Sequence, residues 1–192
     1  MGHAISSLSY FLSKKWNNSK EIVMVGFDSV GKTTILEKVK LGDVVPSLPM
    51  ANFHTEIVKC QNLELTSFDL GGDYRNKLIW RYYYDKSDGA IFVFDSLDRD
   101  KERCENSAEE LHRLSSQMAE DRPLLIFANK QDFKDAMNME EINENLRTRN
   151  LRQKTWYIQL CSAKTGEGLN EGFEWIWNNL WPKNEVVQKI RL

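Results

Sequence analysis

Three cysteines in 192 residues, Cys60, Cys104 and Cys161, are too few and odd in number for a disulfide framework or a zinc site. No paired spacing joins them, so a reducing compartment is expected and all three read as structural. An excess of charge is also missing: the net charge of −2 leaves no global basic field for nucleic acid. No apolar run is long enough to span a bilayer. The leader MGHAISSLSYFLSKKW makes a poor secretory signal, because its positive charge follows the apolar stretch and serines interrupt it. Repeats, low-complexity tracts and linkers are absent as well. What remains is an ordinary globular composition, 41% apolar and 28% charged, enough for one domain with a sizeable core. The expectation is a cytoplasmic monomer that meets a membrane only from its surface.

Periodicity alternates between two kinds of segment. EIVMVG (21–26), DGAIFVFDS (88–96), PLLIFANK (123–130) and TWYIQLCSA (155–163) are short apolar, β-rich runs of the kind that form buried strands. KTTILEKVKLG (32–42), residues 100–120, residues 139–149 and LNEGFEWIWNNLW (169–181) have helical spacing, the first ending in glycine and the last stopping at Pro182. Residues 43–54 contain two prolines and no clean period, and read as an irregular loop. TEIVKC and LELTSFDL flank Gln61 and Asn62 as an antiparallel hairpin. Strands alternating with helices predict an α/β fold, a mostly parallel sheet with helices on both faces.

GFDSVGKT, from Gly26 to Thr33, satisfies G-x-x-x-x-G-K-[ST] between a predicted strand and a predicted helix. Its glycines let backbone N–H groups turn inward around phosphate oxygens, and the helix start adds a favourable dipole. Lys32 can reach the β- and γ-phosphates, and the Thr33 hydroxyl can face Mg²⁺. This pattern identifies a nucleoside triphosphate site without naming the base.

NKQD (129–132) names it, because it closes an apolar strand at the sheet edge where α/β folds bind ligands. The Asp132 carboxylate can accept from N1–H and the 2-amino group of guanine. Adenine offers an acceptor at N1 and no 2-amino group, so the same carboxylate would stay unpaired. Asn129 can tie loops together and approach N7, while the stem of Lys130 can cover the base plane. Ser162 and Ala163 of CSAK, after another strand, complete the reader, with the Ala163 N–H facing the guanine carbonyl.

With these motifs in order, the sequence resembles the small GTPases, and among them the Arf/Arl family, over nearly its whole length. VGFDSVGKTTIL, DLGG, LIWRYYY, GAIFVFDSLDR, FANKQD, WYIQ and GEGLNEGFEW carry the resemblance. It implies a P-loop NTPase (small G-protein) fold with a six-stranded sheet, five helices and an antiparallel hairpin between the second and third strands. That hairpin's register is implied to shift with the nucleotide, in a GDP/GTP switch acting at membranes. The implied partners are an exchange factor, a GAP and effector proteins, with GTP/GDP and Mg²⁺ as cofactors.

Residue by residue, the resemblance gives the phosphates to Gly26, Phe27, Asp28, Ser29, Val30, Gly31, Lys32, Thr33 and Thr34. Thr33 binds Mg²⁺ directly and Asp69 binds it through a water, while the Gly72 N–H senses the γ-phosphate. Phe53, Phe68 and Tyr83 match an aromatic triad that contacts effectors, ordinary core packing being the alternative. Lys32, Gly72 and Asp73 stand at the hydrolytic positions, but there the chain departs from the family. Asp73 replaces a glutamine whose amide orients the attacking water; an aspartate is shorter, lacks an N–H donor and carries negative charge. In switch I, VPSLPMANFHTEIV (45–58), Met50 replaces a threonine of the Mg²⁺ shell, and a thioether is a poor ligand for so hard a cation. Asn52 replaces a glycine. Nucleotide binding with very slow hydrolysis is the expectation, a non-hydrolysing scaffold the alternative. A P-loop kinase or ATPase is disfavoured by the guanine reader and by the lack of a recognisable acceptor or lid segment.

Met1-Gly2-His3-Ala4-Ile5-Ser6 matches M-G-x-x-x-S, the pattern for myristoylation of Gly2. Ile5, Leu8, Phe11 and Leu12 follow close to one helical face, with Lys14, Lys15 and Trp16 next. One acyl chain binds only marginally, so this face would supply a second membrane signal; a disordered leader with a chance glycine is the alternative. KIRL at the C-terminus has no cysteine for prenylation. The expected organisation is an anchor over 1–17, a GTP-binding domain over 18–182 and a tail over 183–192. An endomembrane such as the Golgi is the expected site of action.

Overall fold

The computed structural model of the protein describes residues 19–39, 43–46, 55–60, 63–69 and 77–181. Seven strands form one sheet: β1 (Lys20–Gly26), β2 (Asp43–Pro46), β3 (Thr55–Cys60), β4 (Leu63–Asp69), β5 (Gly89–Asp95), β6 (Leu124–Asn129) and β7 (Trp156–Leu160). Their spatial order is β2-β3-β4-β1-β5-β6-β7. Around them lie α1 (Lys32–Val39), α2 (Lys77–Lys86), α3 (Lys101–Gln117), α4 (Met139–Leu146) and α5 (Leu169–Leu180).

β1 lies at the centre, parallel to β4 on one side and to β5 on the other, and β6 and β7 continue the parallel run. Alternate β1 residues serve two cores. Ile22 and Met24 join Ile35, Leu36, Phe173, Ile176 and Trp177 on the face under α1 and α5. Val23 and Val25 join Tyr84, Leu111, Leu114, Ile142 and Leu146 on the face under α2, α3 and α4. Burial on both faces explains why β1, β5 and β6 read as continuous apolar runs rather than alternating ones. Among the described residues, no helix is long and apolar enough to cross a membrane.

The sheet differs from the expectation at one edge. Residues 43–46 lie in a strand, not in an irregular loop, and pair antiparallel with β3 from Asp43↔Lys59 to Pro46↔Glu56. Among the described residues the sheet therefore has seven strands where six are expected, and the 55–69 hairpin is not its only antiparallel pairing. Val44 and Val45 favour extended backbone. Pro46 is tolerated because β2 is an edge strand and the proline stands at its end. Helix α2, over KLIWRYYYDK, is the other element that periodicity did not delimit.

Helix ends follow local chemistry. Asn138 caps α4 by accepting from the Glu140 and Glu141 N–H groups, and Glu141 reaches back to the Asn138 N–H, a reciprocal capping box. The Asp100 side chain caps α3 by accepting from the Arg103 N–H.

Candidate nucleotide site

The parallel strands all end on one edge of the sheet. Register places Gly26 beside Asp69 across β1 and β4, and Asp95 beside Asn129 across β5 and β6. Four chemically distinctive positions therefore meet at the carboxyl edge, the usual place for ligands in an α/β sheet.

The turn after β1 is built to be concave. Ser29 and Gly31 have φ of 61° and 103°, and Val30 between them does not share the positive sign. Alternating handedness turns successive N–H groups toward one side, the geometry of an anion nest. α1 then begins at Lys32, with the Ile35 N–H donating to the Gly31 carbonyl at 3.0 Å. The positive end of α1 thus faces the same concavity. Gly26 is required by packing: a Cβ there would stand 2.5 Å from the Val93 carbonyl oxygen.

Lys32 is 5% exposed, unusual for a lysine. Its ammonium donates to the Gly26 and Phe27 carbonyls at 2.8 and 2.7 Å, which fixes a positive charge over the loop. Phe27 is half-buried and packs against both cores, anchoring the first half of the turn. Val30 is buried beneath it, whereas Asp28, Ser29, Thr33 and Thr34 are exposed around the mouth. This donor set suits a polyphosphate: a nest, a helix start and a fixed ammonium converge.

The second half of the site hangs on Asn129, which is 1% exposed. Its amide nitrogen donates to the Val30 carbonyl at 2.8 Å, and its amide oxygen accepts from the Ala163 N–H at 2.8 Å. One side chain thereby ties the turn after β1 to the loops after β6 and β7. The sequence pattern predicts that the Ala163 N–H faces a guanine carbonyl; in the structure it donates to Asn129, whose buried amide oxygen needs a donor. Asp132 is steered from both oxygens. Oδ1 accepts from the Ser162 hydroxyl at 2.8 Å, and Oδ2 lies 3.7 Å from the Lys164 ammonium. A carboxylate has about four acceptor positions, so both oxygens keep capacity for a two-donor edge such as that of guanine.

Several partners were not singled out from sequence. Gln131 donates from its side chain to the Ser96 hydroxyl and the Met137 carbonyl at 3.0 and 3.1 Å, locking the loop that bears Asp132. Asp95 holds the Lys130 ammonium at 2.6 Å. The available signal was positional, since Asp95 ends its apolar run as Asn129 ends the next one. Cys161 lies under Asn129, and burial pushes its thiol far above the usual range, so it stays protonated and inert.

Tyr83 is half-buried against the α3 side of the core and meets Tyr82 edge-on at 5.7 Å; Tyr82 is 56% exposed. Phe68 and Asp69 lie at the end of β4, where only the backbone is described. Gly2, Met50, Phe53, Gly72 and Asp73 lie outside the described residues.

Residues 6–180 match the model of the ADP-ribosylation factor family, a span that takes in both halves of this site and the sheet between them. With an anion-nest turn tied to the NKQD and CSAK loops at one sheet edge, and a match over most of the sequence, the chain belongs to the ADP-ribosylation factor (Arf) family and is an Arf-like small GTP-binding protein with the P-loop GTPase fold.

Proposed function

We propose that the protein is a GDP/GTP switch that cycles between cytoplasm and an endomembrane, recruits effectors in membrane traffic, and hydrolyses GTP very slowly by itself. The observation that carries the reading is the Asn129 tie, through which phosphate loop and base reader form one connected site. Lys32 and the 26–34 backbone hold the phosphates, Asp132 selects guanine, and the Lys130 stem lies against the base. Thr33, through its hydroxyl, and Asp69, through a water, would hold Mg²⁺, which would neutralise phosphate charge. The register pairing of Gly26 with Asp69 supports that metal position.

Slow hydrolysis rests on Met50 and Asp73. An ionised Asp73 has no N–H to orient water and repels the γ-phosphate, and Met50 offers sulfur where Mg²⁺ prefers oxygen. The same two residues favour a second reading, a nucleotide-binding scaffold without turnover. Single-turnover GTP hydrolysis by the purified protein, beside GDP and GTP affinities, separates the two. Measurable but slow turnover that a GAP accelerates supports the switch. Tight binding with no turnover under any condition supports the scaffold.

A further inference from the structure

Lys130 is the one residue of the base reader with left-handed backbone, φ 71°, a conformation that disfavours a lysine. Such strain persists only where the surroundings fix it. On either side, Asn129 is tied through both amide atoms, and the Gln131 N–H donates to the Cys161 carbonyl at 3.0 Å. The far end of Lys130 is fixed as well. Its ammonium lies 2.6 Å from Asp95 Oδ2, with side-chain exposures of 28% and 14%. Asp95 is itself oriented, because its Oδ1 accepts from the Leu97 N–H at 3.0 Å. The four-carbon stem is therefore strung between the end of β6 and the end of β5.

We propose that Asp95 is a positioning residue for nucleotide retention: its carboxylate stretches Lys130 across the sheet edge so that the stem forms a preset wall for the base. This rests on the guanine-binding reading above. Asp95 touches no nucleotide in this account and acts only through Lys130. Its other role, accepting from the Leu97 N–H, is a local turn bond of the kind aspartate and asparagine both make. The two roles separate chemically, since asparagine can keep the turn bond but loses the charge that holds the ammonium.

Release of a fluorescent GDP analogue from the full-length protein tests this with Asp95→Asn, Asp95→Ala, Asp95→Glu and Lys130→Met. The expected result is release from Asp95→Asn about tenfold faster than wild type, with association nearly unchanged. Asp95→Glu restores part of the slow release. Lys130→Met is also fast, and adding Asp95→Asn to it changes the rate by no more than about twofold, because both remove one interaction. Wild-type release from Asp95→Asn with fast release from Asp95→Ala assigns Asp95 to the turn alone and overturns the proposal. Multiplying effects in the double variant overturn it too, as does an Asp95→Glu that releases as fast as Asp95→Asn. A wild-type chain that fails to bind the analogue overturns the guanine reading and this proposal together. Tight wild-type binding with an unaltered Asp95→Asn rate overturns this proposal alone.

Discussion

The Asn129 amide nitrogen occupies the space in which a Cβ on Gly31 would stand, and the same nitrogen donates to the neighbouring Val30 carbonyl. The glycine of the turn after β1 and the asparagine that ends β6 are thus fitted to each other, as the proposed phosphate loop and base reader require. Gly31→Ala meets two obstacles, displacement of Asn129 and a φ of 103° that alanine resists. Each kcal/mol lost counts about fivefold in affinity, so GDP affinity is expected to fall by about two orders of magnitude. Isothermal titration with GDP measures it; an alanine variant that binds like wild type contradicts the fit.

Asp132→Asn replaces an acceptor-only group by one that also donates. Guanine binding is expected to weaken by about a hundredfold and xanthine binding to improve, read as competition between GDP and XDP. Ser162→Ala removes the 2.8 Å bond that orients Asp132, and with it the 3.1 Å bond that the Thr165 N–H donates to the same hydroxyl; the loss of the Asp132 contact costs about 1 kcal/mol, or roughly fivefold. Equal losses for the two variants would mean that Asp132 does not read the base.

How much of this could be seen in the sequence depended on the range of the cause. Gly26, Lys32, Asn129 and Asp132 can be singled out in the sequence because the roles proposed for them, holding phosphate and reading a base, go with local patterns of fixed spacing. The buried strands were legible because burial on both faces leaves nearly uninterrupted apolar runs. Strand β2 was not, because four residues ending in Pro46 gain their strand character from pairing with β3, about a dozen residues away. The Asp95–Lys130 pair was hidden for the same reason: 35 residues separate partners that only the β5–β6 register brings together. The direction of the Ala163 N–H was likewise set by a distant need, the buried oxygen of Asn129.

Burial raises the Cys161 thiol and the Tyr84 hydroxyl well above their ordinary ranges. Above pH about 8.5 the unfolded chain ionises Cys161 while the folded chain keeps its proton. The unfolded state then binds fewer protons, so stability falls as pH rises, by about 1.4 kcal/mol per unit for one such group. Tyr84 adds to the fall above pH about 10. Thermal unfolding of the GDP-loaded protein between pH 7.5 and 9.5 should show a flatter profile for Cys161→Ala. Parallel profiles contradict the assignment.

The leader carries a separate prediction. Co-expression with an N-myristoyltransferase should add the mass of one myristoyl group at Gly2, and Gly2→Ala should abolish both the mass shift and flotation with anionic vesicles. An unmodified Gly2 in protein isolated from its native cells removes the lipid anchor from the account.

As proposed above, this Arf-family protein binds guanine nucleotide well but couples it poorly to hydrolysis. Single-turnover hydrolysis of bound GTP, for wild type and Asp73→Gln with affinities measured alongside, tests it most directly. The account predicts tight GDP and GTP binding to both, very slow turnover in wild type, and turnover at least about tenfold faster in Asp73→Gln. Ready hydrolysis by wild type without a partner, or no change on restoring glutamine, would contradict it.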